Sequence, residues 1–324
     1  MKHGGNVWAE GEPGQWLDFS ANIRPEGMAP WVRETMRTAA DDAAYYPDPS
    51  MRAARRGLAA YAGVPEACVF PTPGGAAAID LALSLSRGRV RIQPPTFGEY
   101  AERARVHGRE VAAGGPLEPG DTAVLCNPNN PTGGALTREQ VLARHRESVQ
   151  AGAELLVDEA FIDYCPERSV RRDIAPGLMV AGSLTKILGA PGLRLGYVCA
   201  VPEVIERLAA RQLPWALGAI SSAVAAALPL HLTDMAEDAA RNELRRERFV
   251  SALTRRGVRV WPSAAPFLLA DFGRDMTQTA AELRRLGILV RTCASFGLPP
   301  SVLRLAVKTD EQNQRLMEAL WPIF

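Results

Sequence analysis

Ser183-Leu184-Thr185-Lys186-Ile187-Leu188-Gly189-Ala190-Pro191-Gly192-Leu193-Arg194 follows a short apolar run and holds one of only three lysines in the chain. The others are Lys2 and Lys308, in a protein with 37 basic residues, so arginine stands almost wherever a positive charge alone is wanted. An arginine does not lose its proton in a protein, whereas a lysine does and then becomes a nucleophile. A Schiff base to a carbonyl cofactor needs such a nucleophile. A lone lysine is more often a solvated surface residue; Lys186 gains its meaning from the sequence around it.

Outward from this stretch, short apolar runs at 90–93, 122–126, 154–157, 179–181 and 195–200 read as strands. Helical patterns at 76–86, 100–107, 138–151 and 202–212 alternate with them. That alternation predicts an α/β protein with a mostly parallel central sheet and helices on both faces. Chemistry in such sheets gathers at the carboxyl ends of the strands. The informative motifs follow those ends: Asn127 onward, Asp158, and the stretch at 183–186. Residues 1–30 read as an extended Gly- and Pro-rich arm, followed by helices at 29–40 and 50–62 with the rigid turn Tyr45-Tyr46-Pro47-Asp48-Pro49 between them. A long arginine-studded helix at 236–256 opens the last third. Strands at 258–262, 267–272, 288–292 and 302–307 and helices at 277–286 and from Asp310 complete it. The expected division is an arm (1–30), a large domain (31–229) and a small α+β domain (230–324), joined near Pro229.

Hydrophobic residues at 47% and charged residues at 23% describe a soluble globular chain. A net charge of +1 argues against a nucleic-acid partner. No run approaches the ~18 apolar residues of a membrane span, and the first residues lead into no secretory signal. Cys68, Cys126, Cys165, Cys199 and Cys293 are scattered and unpaired in sequence, which reads as reduced thiols in the cytoplasm. His3, His107, His145 and His231 show no metal-ligand spacing, so no metal is expected.

The spacing of Ser183, Lys186 and Arg194 resembles the signature of the fold-type I enzymes that use pyridoxal 5′-phosphate, the class I/II aminotransferase-like family. The resemblance covers most of the chain. It implies that Lys186 carries the cofactor and that Ser183 and Arg194 bind its phosphate. Asp158, in Leu155-Leu156-Val157-Asp158-Glu159-Ala160-Phe161, would pair with the protonated pyridine nitrogen. Asn130, in Asn127-Pro128-Asn129-Asn130-Pro131-Thr132-Gly133, would donate to the phenolic oxygen. Gly75 and Ala76, after Thr72-Pro73-Gly74, would add backbone N–H groups to the phosphate site, to which Pro73 has none to give. Phe97 would stack on the ring. Tyr46 would reach across a homodimer interface to the neighbouring cofactor. Phe161 departs from the pattern, since aminotransferases of this group usually have a tyrosine there.

For the substrate, the resemblance assigns a carboxylate to Arg304, in Val302-Leu303-Arg304-Leu305-Ala306-Val307. Arg291 interrupts an otherwise apolar run, and a second substrate anion would answer its charge. Either arginine could take either anion. His3-Gly4-Gly5-Asn6, Asp18-Phe19-Ser20-Ala21-Asn22-Ile23 and Arg211-Gln212-Leu213-Pro214-Trp215 are similar to a decarboxylase branch that serves cobalamin biosynthesis and acts on a small phosphorylated amino acid. In that branch the arm closes over the site, which makes His3 and Asn22 phosphate candidates. The nearest alternative is a histidinol-phosphate aminotransferase. A more distant one is a non-catalytic regulator with an aminotransferase-like domain.

Overall fold

The computed structural model describes residues 4–8 and 11–322. The arm carries a short strand, β1 (Leu17–Asp18), and helices Pro30–Thr38 and Arg52–Ala62 follow it. Next come β2 (Val69–Thr72), β3 (Val90–Ile92), β4 (Val111–Ala113), β5 (Thr122–Cys126), β6 (Glu154–Asp158), β7 (Leu178–Ser183) and β8 (Gly196–Cys199). They form one seven-stranded sheet in the order β2-β8-β7-β6-β5-β3-β4. Only β8 runs against its neighbours; the other pairings are parallel. All six residues of β7 and the last four of β6 are buried, the continuous apolar run of a sheet covered on both faces. Register aligns Cys126 with Asp158 and Asp158 with Ala181. The chain segments leaving β5, β6 and β7 therefore emerge side by side along one edge.

The last third adds β9 (Arg259–Val260), β10 (Phe267–Asp271), β11 (Ile288–Leu289), β12 (Arg291–Thr292) and β13 (Val302–Ala306). Four of these make an antiparallel sheet in the order β12-β13-β10-β9, and β11 pairs instead with β1 of the arm. A second apolar cluster, distinct from the one around the large sheet, joins Phe249, Leu268, Leu303, Leu305 and Leu316 to Phe19 of the arm. A boundary near Pro229 remains our proposal; the turn Leu228–His231 lies there, ahead of the helix Leu232–Thr254. The helical stretch Ala219–Thr254 is long and apolar enough to pass for a membrane span. Its first helix packs on helices Arg52–Ala62 and Pro30–Thr38, and its second faces the small sheet, as core helices of a globular protein do.

Several elements differ from the sequence reading. β2 contains Pro71, which counts against a strand by rule, but β2 is an edge strand and an edge tolerates the missing N–H. β4 is the opposite edge, three residues long and partly exposed, too short to show a pattern. Helix Ala219–Ala227 is alanine-rich and lacks an amphipathic period. The single strand expected at 288–292 is two: the arm takes the main chain of 288–289, and β13 takes that of 291–292. The long helix runs over Leu232–Thr254 rather than 236–256.

The arm is a strap between the two sheets. Phe19 donates its N–H to Leu289 O (2.8 Å) and accepts from Ala306 N–H (2.9 Å). Further along, Arg24 N–H donates to Lys186 O (2.9 Å) and Ala29 N–H to Leu188 O (3.0 Å). Arg24 also holds Asp238 of the long helix through two bonds, Nε to Oδ2 at 2.7 Å and Nη2 to Oδ1 at 3.2 Å. Gly189 makes the close crossing feasible: its φ is +62°, and a Cβ there would run into the Gly27 carbonyl oxygen.

Candidate active site

Lys186 lies just beyond β7, half-buried, while Leu184, Ile187 and Leu188 anchor the segment in the core. Burial, reinforced by the nearby charges of Arg194 and Arg304, lowers its ammonium pKa to about 8, with Asp158 opposing the shift. Asp158, at the end of β6, is buried. Its Oδ2 accepts from the Tyr100 hydroxyl (2.5 Å) and its Oδ1 from Ala160 N–H (2.9 Å). Burial pushes the carboxyl pKa up, and those two bonds and the Lys186 charge pull it back.

A cradle of small residues lies along the same edge. Gly74 has φ +97°, and a Cβ on it would come within 2.6 Å of Arg194 Nη2. A Cβ on Gly75 would lie 2.7 Å from the Ser183 Cβ. Helix Gly75–Leu83 begins here, so the N–H groups of Gly75 and Ala76 have no partner within the helix. Ser183 Oγ and Thr185 Oγ1 are 3.0 Å apart, and Arg194 is exposed, donating from Nη1 to Pro191 O (3.2 Å). Helix-start N–H groups, hydroxyls and a guanidinium together suit a phosphate dianion.

The small sheet supplies the second half. Arg304 is buried, with Nη1 donating to Asn130 Oδ1 (2.6 Å) and Nη2 to Ser20 O (2.6 Å). Its Nε has no protein acceptor, and burial beside Arg291 makes its charge costly. The bond to Oδ1 leaves the Asn130 amide nitrogen available as a donor. Arg291 stands directly opposite Arg304 across β12 and β13, donates to Ser295 Oγ (2.6 Å), and faces the Phe296 ring at 5.5 Å. Phe161 is buried edge-on to Phe267 (5.1 Å), and the Arg304 guanidinium rests 5.5 Å over the Phe267 ring. Asn22 lies in the strap between the contacts to Arg304 and to Lys186, buried, with no partner for its Oδ1 among the described residues. Gly4 lies against Ser20, where a Cβ would sit 3.2 Å from Arg304 Nη2. His3 lies outside the described residues.

Phe97 is half-buried and edge-on to Tyr100, ring centroids 5.6 Å apart. Tyr46 stands apart from the group within one chain, 82% exposed and resting on Trp215 at 4.9 Å. Sequence reasoning missed Thr185, Gly74, the Ser20 carbonyl and Tyr100. Thr185 was readable as a second hydroxyl beside Ser183. Tyr100 carried no local signal, because only the sheet order brings its helix over Asp158.

An amine, a fixed buried carboxylate and a phosphate cradle suit one kind of group, a phosphorylated aldehyde with a basic ring nitrogen. That describes a pyridoxal 5′-phosphate enzyme. The chain belongs to the aminotransferase class I and II family, whose pattern matches residues 118–320, and pyridoxal 5′-phosphate is its cofactor. It is 32% identical to the threonine-phosphate decarboxylase of Salmonella typhimurium, over 98% of this chain and 95% of that one. The structure of L-threonine-O-3-phosphate decarboxylase from Porphyromonas gingivalis superimposes with a TM-score of 0.85 at 26% identity, covering 94% of this chain and 98% of that one. The histidinol-phosphate aminotransferase from Clostridium acetobutylicum superimposes with a TM-score of 0.86 at 24% identity, covering 94% and 98%. Histidinol-phosphate aminotransferases recur among the other relatives, at 27 to 32% identity.

The Lys186 environment carries a pH prediction. Only the neutral amine attacks an aldehyde, so raising the pH speeds covalent capture of the cofactor until the amine is deprotonated. Stopped-flow absorbance on the apoprotein is expected to show a rate that climbs with pH and levels off around a midpoint of about 8. A midpoint near the ordinary lysine value would contradict the burial described above.

Proposed function

We propose that the protein decarboxylates L-threonine O-3-phosphate to (R)-1-aminopropan-2-yl phosphate and carbon dioxide, as a cytoplasmic homodimer serving cobalamin biosynthesis. The observation that carries this reading is the cross-strand pair of buried arginines, Arg291 opposite Arg304, beside the strap. A substrate with a carboxylate and a phosphate offers an anion to each arginine; histidinol phosphate brings one, and an aminotransferase would offer two only through its second substrate, 2-oxoglutarate. Phe161 supports the same reading, since it offers no hydroxyl where aminotransferases of this group usually place one.

In this reading Arg304 and Arg291 hold the two substrate anions, and Asn22 and His3 close on the phosphate. Holding both ends would fix the orientation of the bonds at Cα, and with it which of them is set up to break. Bound pyridoxal 5′-phosphate supplies the electron sink for the pair released when carbon dioxide leaves. Asp158 keeps a proton on the ring nitrogen, with Asn130 at the phenolic oxygen and Phe97 against the ring. Ser183, Arg194, Gly75 and Ala76 hold the phosphate. Lys186 Nζ then delivers a proton to Cα, which balances the lost carboxylate. Tyr46, exposed with Tyr45, Leu213 and Trp215, would meet a second copy and reach its cofactor phosphate.

The test is release of carbon dioxide from L-threonine O-3-phosphate by the cofactor-loaded protein, with and without 2-oxoglutarate. Release independent of the keto acid, with no glutamate formed, is the expected outcome. Failure to release carbon dioxide, together with glutamate formation from histidinol phosphate and 2-oxoglutarate, would make the protein an aminotransferase.

A further inference from the structure

We propose that Tyr100 is a positioning residue for the cofactor, acting through Asp158: its hydroxyl fixes the orientation and charge of the carboxylate that meets the ring nitrogen. This rests on the assignment of Asp158 to that nitrogen.

The geometry holds each carboxylate oxygen separately. Tyr100 donates to Oδ2 at 2.5 Å and Ala160 N–H donates to Oδ1 at 2.9 Å, so the group cannot turn over without breaking both bonds. Tyr100 has no freedom of its own. It is fully buried in the first turn of helix Glu99–Val106, and Phe97 stands against its ring. Cys126 Sγ completes the wall, 4.0 Å from the same Oδ2.

Electrostatics act in the same direction. Burial favours the protonated form of Asp158, and the Tyr100 bond is the foremost influence opposing it, ahead of Ala160 N–H and Lys186. Burial also keeps the Tyr100 hydroxyl protonated well above its ordinary range, so it remains a donor at every working pH. A buried tyrosine needs some partner for its hydroxyl, and filling the core would be reason enough for one here. The two roles differ in what they predict. A core-filling tyrosine matters equally for any ligand, whereas a positioning tyrosine matters only for a ligand with a basic ring nitrogen.

The experiment measures affinity of the apoprotein for pyridoxal 5′-phosphate and for its deaza analogue, with CH in place of the ring nitrogen. Wild type, Tyr100→Phe and Asp158→Asn are compared. A hydrogen bond to a buried charge sets the scale, so Tyr100→Phe is expected to cut the preference for the true cofactor about tenfold. Binding of the analogue should stay unchanged. The loss of cofactor affinity on acidification should also begin at higher pH in Tyr100→Phe, because its Asp158 protonates sooner. If Tyr100→Phe folds poorly, 3-fluorotyrosine at position 100 keeps the shape, strengthens the donor, and should raise the preference. Equal weakening for both ligands, or no change for either, overturns the proposal. If Asp158→Asn removes the preference and Tyr100→Phe does not, only the role of Tyr100 falls. If Asp158→Asn keeps the wild-type preference, the assignment of Asp158 falls with it.

Discussion

Replacing Lys186 with alanine is expected to reduce carbon dioxide release from L-threonine O-3-phosphate by about 10⁴-fold or more, the upper range for loss of a positioned acid–base group. On the proposed reading two roles disappear together, the covalent hold on the cofactor and the proton delivered to Cα. Lys186→Arg should be no better, because a guanidinium stays protonated and cannot attack an aldehyde. The cradle at Gly74, Gly75, Ser183 and Arg194 is untouched by either change, so the variants should still bind cofactor without a covalent link. Borohydride treatment followed by peptide mass measurement reads this directly. The wild type should carry a cofactor-sized addition on the peptide containing Lys186, and Lys186→Ala should carry none. Turnover within about tenfold of wild type in Lys186→Ala would remove this lysine from the chemistry.

Arg304→Met should lower kcat/KM by at least about thirtyfold, corresponding to the ~2–5 kcal/mol lost when one member of a buried charge pair is removed. The loss should appear mainly in KM if Arg304 holds a substrate anion equally before and during the reaction. Stability should not fall with it. Arg304 donates to the Asn130 amide oxygen and the Ser20 carbonyl, neither of them charged, and burial disfavours its cation. An apolar residue of similar length relieves that cost but leaves the two carbonyl oxygens without their donor, so Tm in the absence of substrate should change little. Arg304→Lys should recover only part of the lost kcat/KM, since one ammonium cannot span Asn130, Ser20 and an anion as a planar fork does. A drop in Tm with unchanged KM would make Arg304 a structural residue.

The sheet was legible in the sequence because β6 and β7 are buried on both faces and, with the alternately buried β5, read as short apolar runs. Its two edges were not: Pro71 disqualifies β2 locally, and β4 is too short to have a period. The lysine stretch, Asp158 and the Asn127 turn were legible because each directly follows a strand, and register then aligns those strand ends. What the sequence concealed depends on pairing at a distance. Arg291 and Arg304 face one another only because β12 runs antiparallel to β13, and Tyr100 reaches Asp158 only because β3 lies next to β5. Neither relation leaves a trace in local spacing.

The strap also constrains the order in which the molecule assembles. Phe19 fits among side chains from Phe249 to Leu320, and its neighbours Leu17 and Asp18 pair with residues 288–289. Nothing translated before the long helix can receive them. Lys186 leaves the ribosome more than a hundred residues before Arg304, whose charge acts on it. Contacts this distant in sequence form late, so the chain must be almost complete before this part of the arm has anywhere to pack.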